Sequence, residues 1–184
     1  VVTELKEKID PSYNLQKYFK KPIKSLCVRS PQILKVAKSR YSQHWPKQKL
    51  LELCTELLEF EMYEYAIVAF RWAYLGKEKF NKEDFPIFEK WLHKYITNWG
   101  LCDTYMPYLP NDFLTKYPSL MQNVRNSTKS ENGLVRRASA VIFLRDSGGA
   151  KPTLQKLKDV FWVANALLGD DEDLVQKGCG WLLK

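Results

Sequence analysis

Glu61-Met62-Tyr63-Glu64-Tyr65-Ala66-Ile67-Val68-Ala69-Phe70-Arg71-Trp72-Ala73-Tyr74-Leu75-Gly76 reads as a single helix. Tyr65, Ala66, Ala69, Phe70 and Ala73 recur at three- and four-residue spacing, which places them on one face of a 3.6-residue period. The alanines keep that stripe thin, so a neighbouring helix can approach closely. Gly76 ends the run, as glycine commonly does just past a helix.

The same period continues on both sides. Upstream, Ser30-Pro31 supplies an N-cap and a proline at the first helical position, opening a helix through about Arg40, and Pro46 opens another through about Phe60. Downstream, the pattern predicts a helix from Asp84 to Ile96. A short one follows, capped by Asn98 or Thr97, carrying Trp99 to Met106 and broken by Pro107 and Pro110. Further helices are expected from about Asn111 to Tyr117, Pro118 to Arg125, Gly133 to Arg145, Thr153 to Leu168 and Asp171 to the end. No run of Val, Ile and Thr bounded by turn residues reads as a strand. The expected class is all-α. Short, paired amphipathic helices fit a HEAT-like helical-repeat solenoid with a concave basic face, residues 1–184 forming a single domain. A compact irregular bundle is the structural rival.

Composition narrows the function. The chain has 184 residues, a formal charge of +8 and six tryptophans. That charge attracts polyanions, with nucleic acid the first candidate and an acidic membrane surface the second. Cys27, Cys54, Cys102 and Cys179 are widely spaced with no CxxC pair, so neither a zinc site nor a disulfide scaffold is supported, and reduced intracellular thiols are the simpler reading. No apolar run reaches membrane-spanning length and the N-terminus lacks a signal-peptide core. The expected species is a cytoplasmic, bacterial-type monomer with no metal and no small-molecule cofactor.

His44 and His93 stand apart without spaced acidic or cysteine partners. No GxGxxG, P-loop or GxSxG occurs, which disfavours dinucleotide chemistry, nucleotide hydrolysis and the commonest serine hydrolases. What remains is Thr97-Asn98-Trp99-Gly100-Leu101-Cys102-Asp103, where an indole and a carboxylate four residues apart share a helix face. In a basic protein this anionic, aromatic point suits a cation, including one formed during a reaction. Arg136-Arg137 opens a later helix and Trp181 lies in the last. Taken singly, the tryptophans also read as core filler, Asp103 as a surface charge or cap, and the arginines as a solvated face.

Three motifs join these residues. Trp99 followed by Asp103 resembles a W-D-x-x-D segment, Leu134-Val135-Arg136-Arg137-Ala138-Ser139-Ala140 a W-x-x-R-A-A helix, and Lys177-Gly178-Cys179-Gly180-Trp181 a K-A-x-G-W helix. All three belong to the AlkD-type DNA alkylation repair family, HEAT-like-repeat DNA glycosylases that remove cationic alkylated purines. The similarity runs from Phe19-Lys20-Lys21-Pro22-Ile23-Lys24-Ser25-Leu26-Cys27-Val28-Arg29-Ser30-Pro31 to the terminal Trp181-Leu182-Leu183-Lys184. The chain ends where family members usually continue with further helix.

The resemblance implies a monofunctional glycosylase hydrolysing the N-glycosidic bond of N3- or N7-alkylated purines in double-stranded DNA. It implies that Asp103 is the catalytic carboxylate, Trp99 and Trp181 the aromatic walls of the active site, and Arg137 a DNA contact. Arg136, Arg29, Lys35, Lys38 and Lys156 are further candidates for holding phosphates. This sequence departs from the pattern at Asn98, where a second Trp can stand, and at Gly100, which replaces the first acid. Leu134 replaces an aromatic residue. In the G-[IV]-x-x-P loop, Cys27 replaces glycine and Arg29 a polar residue. Two other readings stay open: a non-catalytic protein of this fold that binds damaged or branched DNA, and a helical-repeat scaffold that binds another protein through Trp99 and Trp181.

Overall fold

The computed structural model describes residues 1–145 and 152–184, and among them every regular element is helical. The backbone divides into two compact units, residues 1–84 and 85–184.

The first unit contains α1 (Val2–Lys6), α2 (Ser30–Arg40), α3 (Lys47–Glu59) and α4 (Tyr63–Leu75). The stretch Glu61–Gly76 is its centre: α4 packs on both α2 and α3. It is buried from Glu64 through Phe70, and again at Trp72 and Ala73. The expected stripe is therefore an almost wholly encased helix, which its alanines allow by letting two neighbours approach at once. Each fully buried Ile, Val or Phe here contributes about 1.5–3 kcal/mol. Trp72 Nε1 donates to the Ala37 carbonyl of α2 at 2.8 Å. Gly76 adopts a φ of −91°, so the left-handed C-cap is not its reason. A Cβ at this position would run into Leu50 of α3. The glycine is a packing requirement between the two helices. Ser30 is the first helical residue, with Arg29 at the N-cap position and no side-chain cap; the expected serine cap is not formed.

The second unit contains α5 (Phe85–Tyr95), α6 (Trp99–Tyr105), α7 (Leu109–Lys116), α8 (Met121–Ser127), α9 (Gly133–Val141), α10 (Leu154–Leu167) and α11 (Asp173–Leu182). Here α9 is central, packing on α6, α8, α10 and α11. Several boundaries differ from expectation: α8 begins at Met121 after a 3-10 turn from Pro118, and α7 and α9 differ as well. Pro110 falls in the first turn of α7, where a missing N–H is harmless, so the helix begins at Leu109 rather than Asn111. The helix expected to reach Arg145 stops at Val141. Asn111 Nδ2 takes the Ile142 carbonyl at 2.6 Å and Arg145 reaches Asp112 at 2.7 Å. The Asn111 amide, donating to the Ile142 carbonyl, thus satisfies a group that a further helical turn would have used. Cys54, Cys102 and Cys179 are buried free thiols and Cys27 a half-buried one. No helix among the described residues is long and apolar enough to cross a membrane.

Candidate functional site

The side chain of Asn98 caps α6: its Oδ1 accepts from the Leu101 N–H at 3.0 Å. The residue that stands in place of a second tryptophan thus fixes where the helix begins, an interaction worth about 1 kcal/mol. With the start fixed, Trp99 and Asp103 fall one turn apart on one face. Trp99 is half-buried.

Asp103 is held by Arg137 of α9. Arg137 Nε donates to Oδ1 at 3.0 Å and Nη2 to Oδ2 at 2.7 Å, a bidentate pair with the guanidinium 6% and the carboxylate 14% exposed. Arg137 Nη1 donates to the Leu174 carbonyl of α11. One arginine therefore ties α6, α9 and α11 together. Gly178 leaves it room: a Cβ there would lie 3.3 Å from Arg137 Cγ and from Nη1. Leu174, Gly178 and Trp181 follow at four- and three-residue spacing, so the indole belongs to the stripe of α11 that meets Arg137, one turn further on. Trp181 is 52% exposed.

The burial of Arg137 changes the part it can play. A guanidinium has five N–H donors and a charge that is stabilised where it is paired. Here the charge is matched by Asp103 inside the protein, so its effect is to orient the carboxylate. The carboxylate has about four lone-pair sites and the bidentate pair uses two, which leaves acceptor capacity on both oxygens.

Arg136 points another way. Its Nε donates to Asp170 Oδ2 at 2.6 Å, Nη1 to the Ser130 and Glu131 carbonyls at 2.8 and 3.1 Å, and Nη2 to Asp170 Oδ1 and Glu172 Oε1 at 3.1 and 3.3 Å. The hydrogen bond from Arg136 and, to a lesser degree, that from the Glu172 N–H hold the Asp170 carboxyl below its ordinary range. The start of α9 is thereby clamped to the α10–α11 turn. At Gly133 a Cβ would meet the Glu172 carboxylate, the exposed end of a flexible side chain that could move aside. Neither Asp170 nor Glu172 stood out in the sequence.

The other basic candidates are dispersed. Lys156 lies half-exposed on α10, and Lys35 and Lys38 are exposed on α2 of the first unit. Arg29 stands before α2, bonded to Asp10 Oδ2 at 2.6 Å and stacked 4.9 Å over the Tyr13 ring. Asp10 is drawn down to about 2, chiefly by the Ser12 hydroxyl and then by Arg29. The loop that leads to Arg29 hangs on Glu64, a fully buried carboxylate of α4. Its Oε1 accepts from Ser25 Oγ at 2.6 Å and from the Val28 N–H at 3.2 Å; its Oε2 accepts from the Leu26 N–H at 2.9 Å. The sequence held one signal for Glu64, an acid on the same helix face as Ile67 and Val68.

A cavity of about 30 Å³ lies among Phe88, Leu92, Tyr105, Met106, Val124 and Ile142. It is far below the roughly 300 Å³ of a small-molecule pocket, and reads as a packing gap. Among the described residues no cluster of His, Cys, Asp and Glu is arranged to hold a metal ion.

Compared with known families, the chain matches the model described as DNA alkylation repair enzyme over residues 1–184. No curated protein matches it.

Proposed function

We propose, from the premise that the chain belongs to the DNA alkylation repair enzyme family, that it is a monofunctional glycosylase releasing N3- or N7-alkylated purines from duplex DNA. The family gives the coarse role, an enzyme of alkylated-DNA repair acting on DNA; the finer reading rests on Asp103. That carboxylate is fixed by two charge-assisted hydrogen bonds, retains free acceptor sites, and lies one turn from a half-exposed indole.

The chemistry needs little more. Alkylation of a purine ring nitrogen makes the base cationic, so the glycosidic electron pair leaves with it and the base departs neutral without protonation by an acid. Positive charge passes to the sugar in an oxocarbenium-like transition state, as in glycoside hydrolysis. A preorganised carboxylate opposes that charge and accepts a hydrogen bond from the water that adds to C1′; a proton is released and an abasic sugar remains. Stabilisation of this kind is commonly worth several kcal/mol, because the charges need not reorganise during the reaction. Arg137 holds Asp103 in place at the cost of part of its field, and the free lone pairs are where water and sugar engage it.

The indole faces of Trp99 and Trp181 attract a cationic nucleotide by about 0.5–2 kcal/mol each, depending on desolvation. A neutral base gains less, so the lesion is distinguished by charge and no enclosed pocket is required. The test is release of 7-methylguanine from methylated duplex DNA by the wild type and by Asp103→Asn. The expected outcome is a fall of at least about 100-fold with duplex binding intact. Equal release by the variant removes Asp103 from the role. Binding without release by the wild type replaces the glycosylase with a non-catalytic DNA-binding protein.

A further inference from the structure

The sequence between Asp10 and Glu52 contains no acidic residue, while it carries Lys17, Lys20, Lys21, Lys24, Arg29, Lys35, Lys38, Arg40, Lys47 and Lys49. Several of these are matched by acids elsewhere in the first unit: Lys24 by Glu61, Arg29 by Asp10, Arg40 by Glu4 and Lys47 by Asp84. Lys17, Lys20 and Lys21 are exposed and have no acidic partner among the described residues. They crowd one turn, beside Tyr18, which is 52% exposed with Lys17 Nζ 4.9 Å from its ring centre.

The turn is built to be stiff. The side chain of Gln16 spans it, Nε2 donating to the Phe19 and Lys21 carbonyls, both at 3.0 Å, while Oε1 accepts from the Ile23 N–H at 3.0 Å. Leu15 is buried at its start, and the Phe19 ring meets Tyr63 edge-on at 5.9 Å. Its two apolar side chains anchor the turn, and its cations face solvent. Three exposed cations within five residues, none paired with an acid among the described residues, repel one another, and a polyanion would offset that repulsion. Because the backbone is already fixed, less conformational freedom remains to be lost on binding.

We infer that the Gln16-stapled turn bearing Lys17, Tyr18, Lys20 and Lys21 is a sequence-independent contact for the phosphate backbone of duplex DNA. It rests on the reading that duplex DNA is the substrate, and assigns part of the affinity to residues that take no part in the chemistry. Each neutralised phosphate releases condensed counterions and contributes about 0.9 to the slope of log K against log salt. Tyr18 adds its hydroxyl and ring edge to the sugar-phosphate chain.

The experiment is fluorescence-anisotropy titration of an unmodified duplex between 50 and 200 mM salt, comparing the wild type with Lys17→Ala/Lys20→Ala/Lys21→Ala and with Gln16→Ala. The triple variant is expected to flatten the slope by about 2 to 3 and weaken binding equally on unrelated sequences. Gln16→Ala, which keeps every charge, is expected to weaken binding while retaining most of the slope. Base release at subsaturating duplex is expected to fall with affinity in both. An unchanged slope in the triple variant overturns the inference; so does unchanged DNA binding together with lost binding to phosphatidylserine vesicles, which would make the turn a membrane contact. Because the titration uses undamaged DNA, a protein that releases no base can still pass it, and an active glycosylase can still fail it.

Discussion

The pairing of Asp103 with Arg137 can be measured as a coupling. Truncating Arg137 to Met removes two charge-assisted hydrogen bonds to Asp103 and the bond to the Leu174 carbonyl of α11. It leaves a carboxylate 14% exposed without its counter-charge. Breaking a buried pair from one side costs about 3–5 kcal/mol, since the remaining ion keeps its desolvation penalty. Asp103→Asn strands the guanidinium instead, which is only 6% exposed, although the amide oxygen still accepts one of its hydrogen bonds. In the double variant neither ion is stranded. Its destabilisation is expected to fall short of the sum of the singles by about 1–3 kcal/mol.

Urea unfolding followed by circular dichroism at pH 7 reads the cycle. Repetition at about 0.05 and 0.5 M salt adds a second criterion, because buried charges are screened far less than exposed ones. The exposed Lys24–Glu61 pair, 65% exposed on both sides, is the control and should couple by under about 1 kcal/mol, falling with salt. A coupling at Asp103–Arg137 below about 0.5 kcal/mol, or one that disappears in high salt, refutes the argument. Arg137 would then be available to phosphate, as the family resemblance implies.

Two further outcomes follow from local geometry. Cys27 has a φ of 60°, in the left-handed region where a Cβ costs about 1–2 kcal/mol, so Cys27→Gly should raise stability by roughly 0.5–1 kcal/mol after glycine's greater unfolded-state entropy; a lowered thermal midpoint counts against it. Asp170→Asn should destabilise at pH 7, and without tightening DNA binding, because Arg136 is a clamp; variant–wild-type differences in urea midpoint from pH 7 to 2 check it. The folded carboxyl is held low, so its stabilisation is complete above the unfolded value near 3.9 and lost as pH falls through the folded one; the gap should narrow progressively as pH falls below about 4. A gap that does not narrow between about pH 5 and 2, or tighter DNA binding by the variant, excludes the clamp.

The fold was legible wherever one helix face decides it. The stripe of Tyr65, Ala66, Ala69, Phe70 and Ala73, and the proline at Pro46, locate α4 and α3 because apolar period and caps are local properties. What escaped was set by neighbours in space. Gly76 is fixed by Leu50, and the end of α9 by Asn111, whose amide takes the Ile142 carbonyl. At the site, the Trp99–Asp103 spacing and the importance of Arg137 could be read. Its burial could not, since it depends on Gly178 leaving space from another helix. Asp170, Glu172 and Gln16 look in sequence like any exposed polar residue, and only their bonds distinguish them.

The two adjacent arginines show why net charge is a poor guide to where DNA is held. Successive helical residues are turned by about 100°, so Arg136 and Arg137 diverge by construction. One meets Asp103 and the other Asp170 with Glu172, and each has its charge answered within the second unit. Both are candidates for phosphate, and both are ion-paired within the framework: Arg137 with Asp103, and Arg136 with Asp170 at the turn from which α11 carries Trp181. Lys17, Lys20 and Lys21, which pair with no acid among the described residues, lie in the acid-free stretch between Asp10 and Glu52. On the reading proposed above, affinity and chemistry fall to different residues, so a lysine variant should change the salt slope more than the turnover. An Asp103 variant should do the reverse.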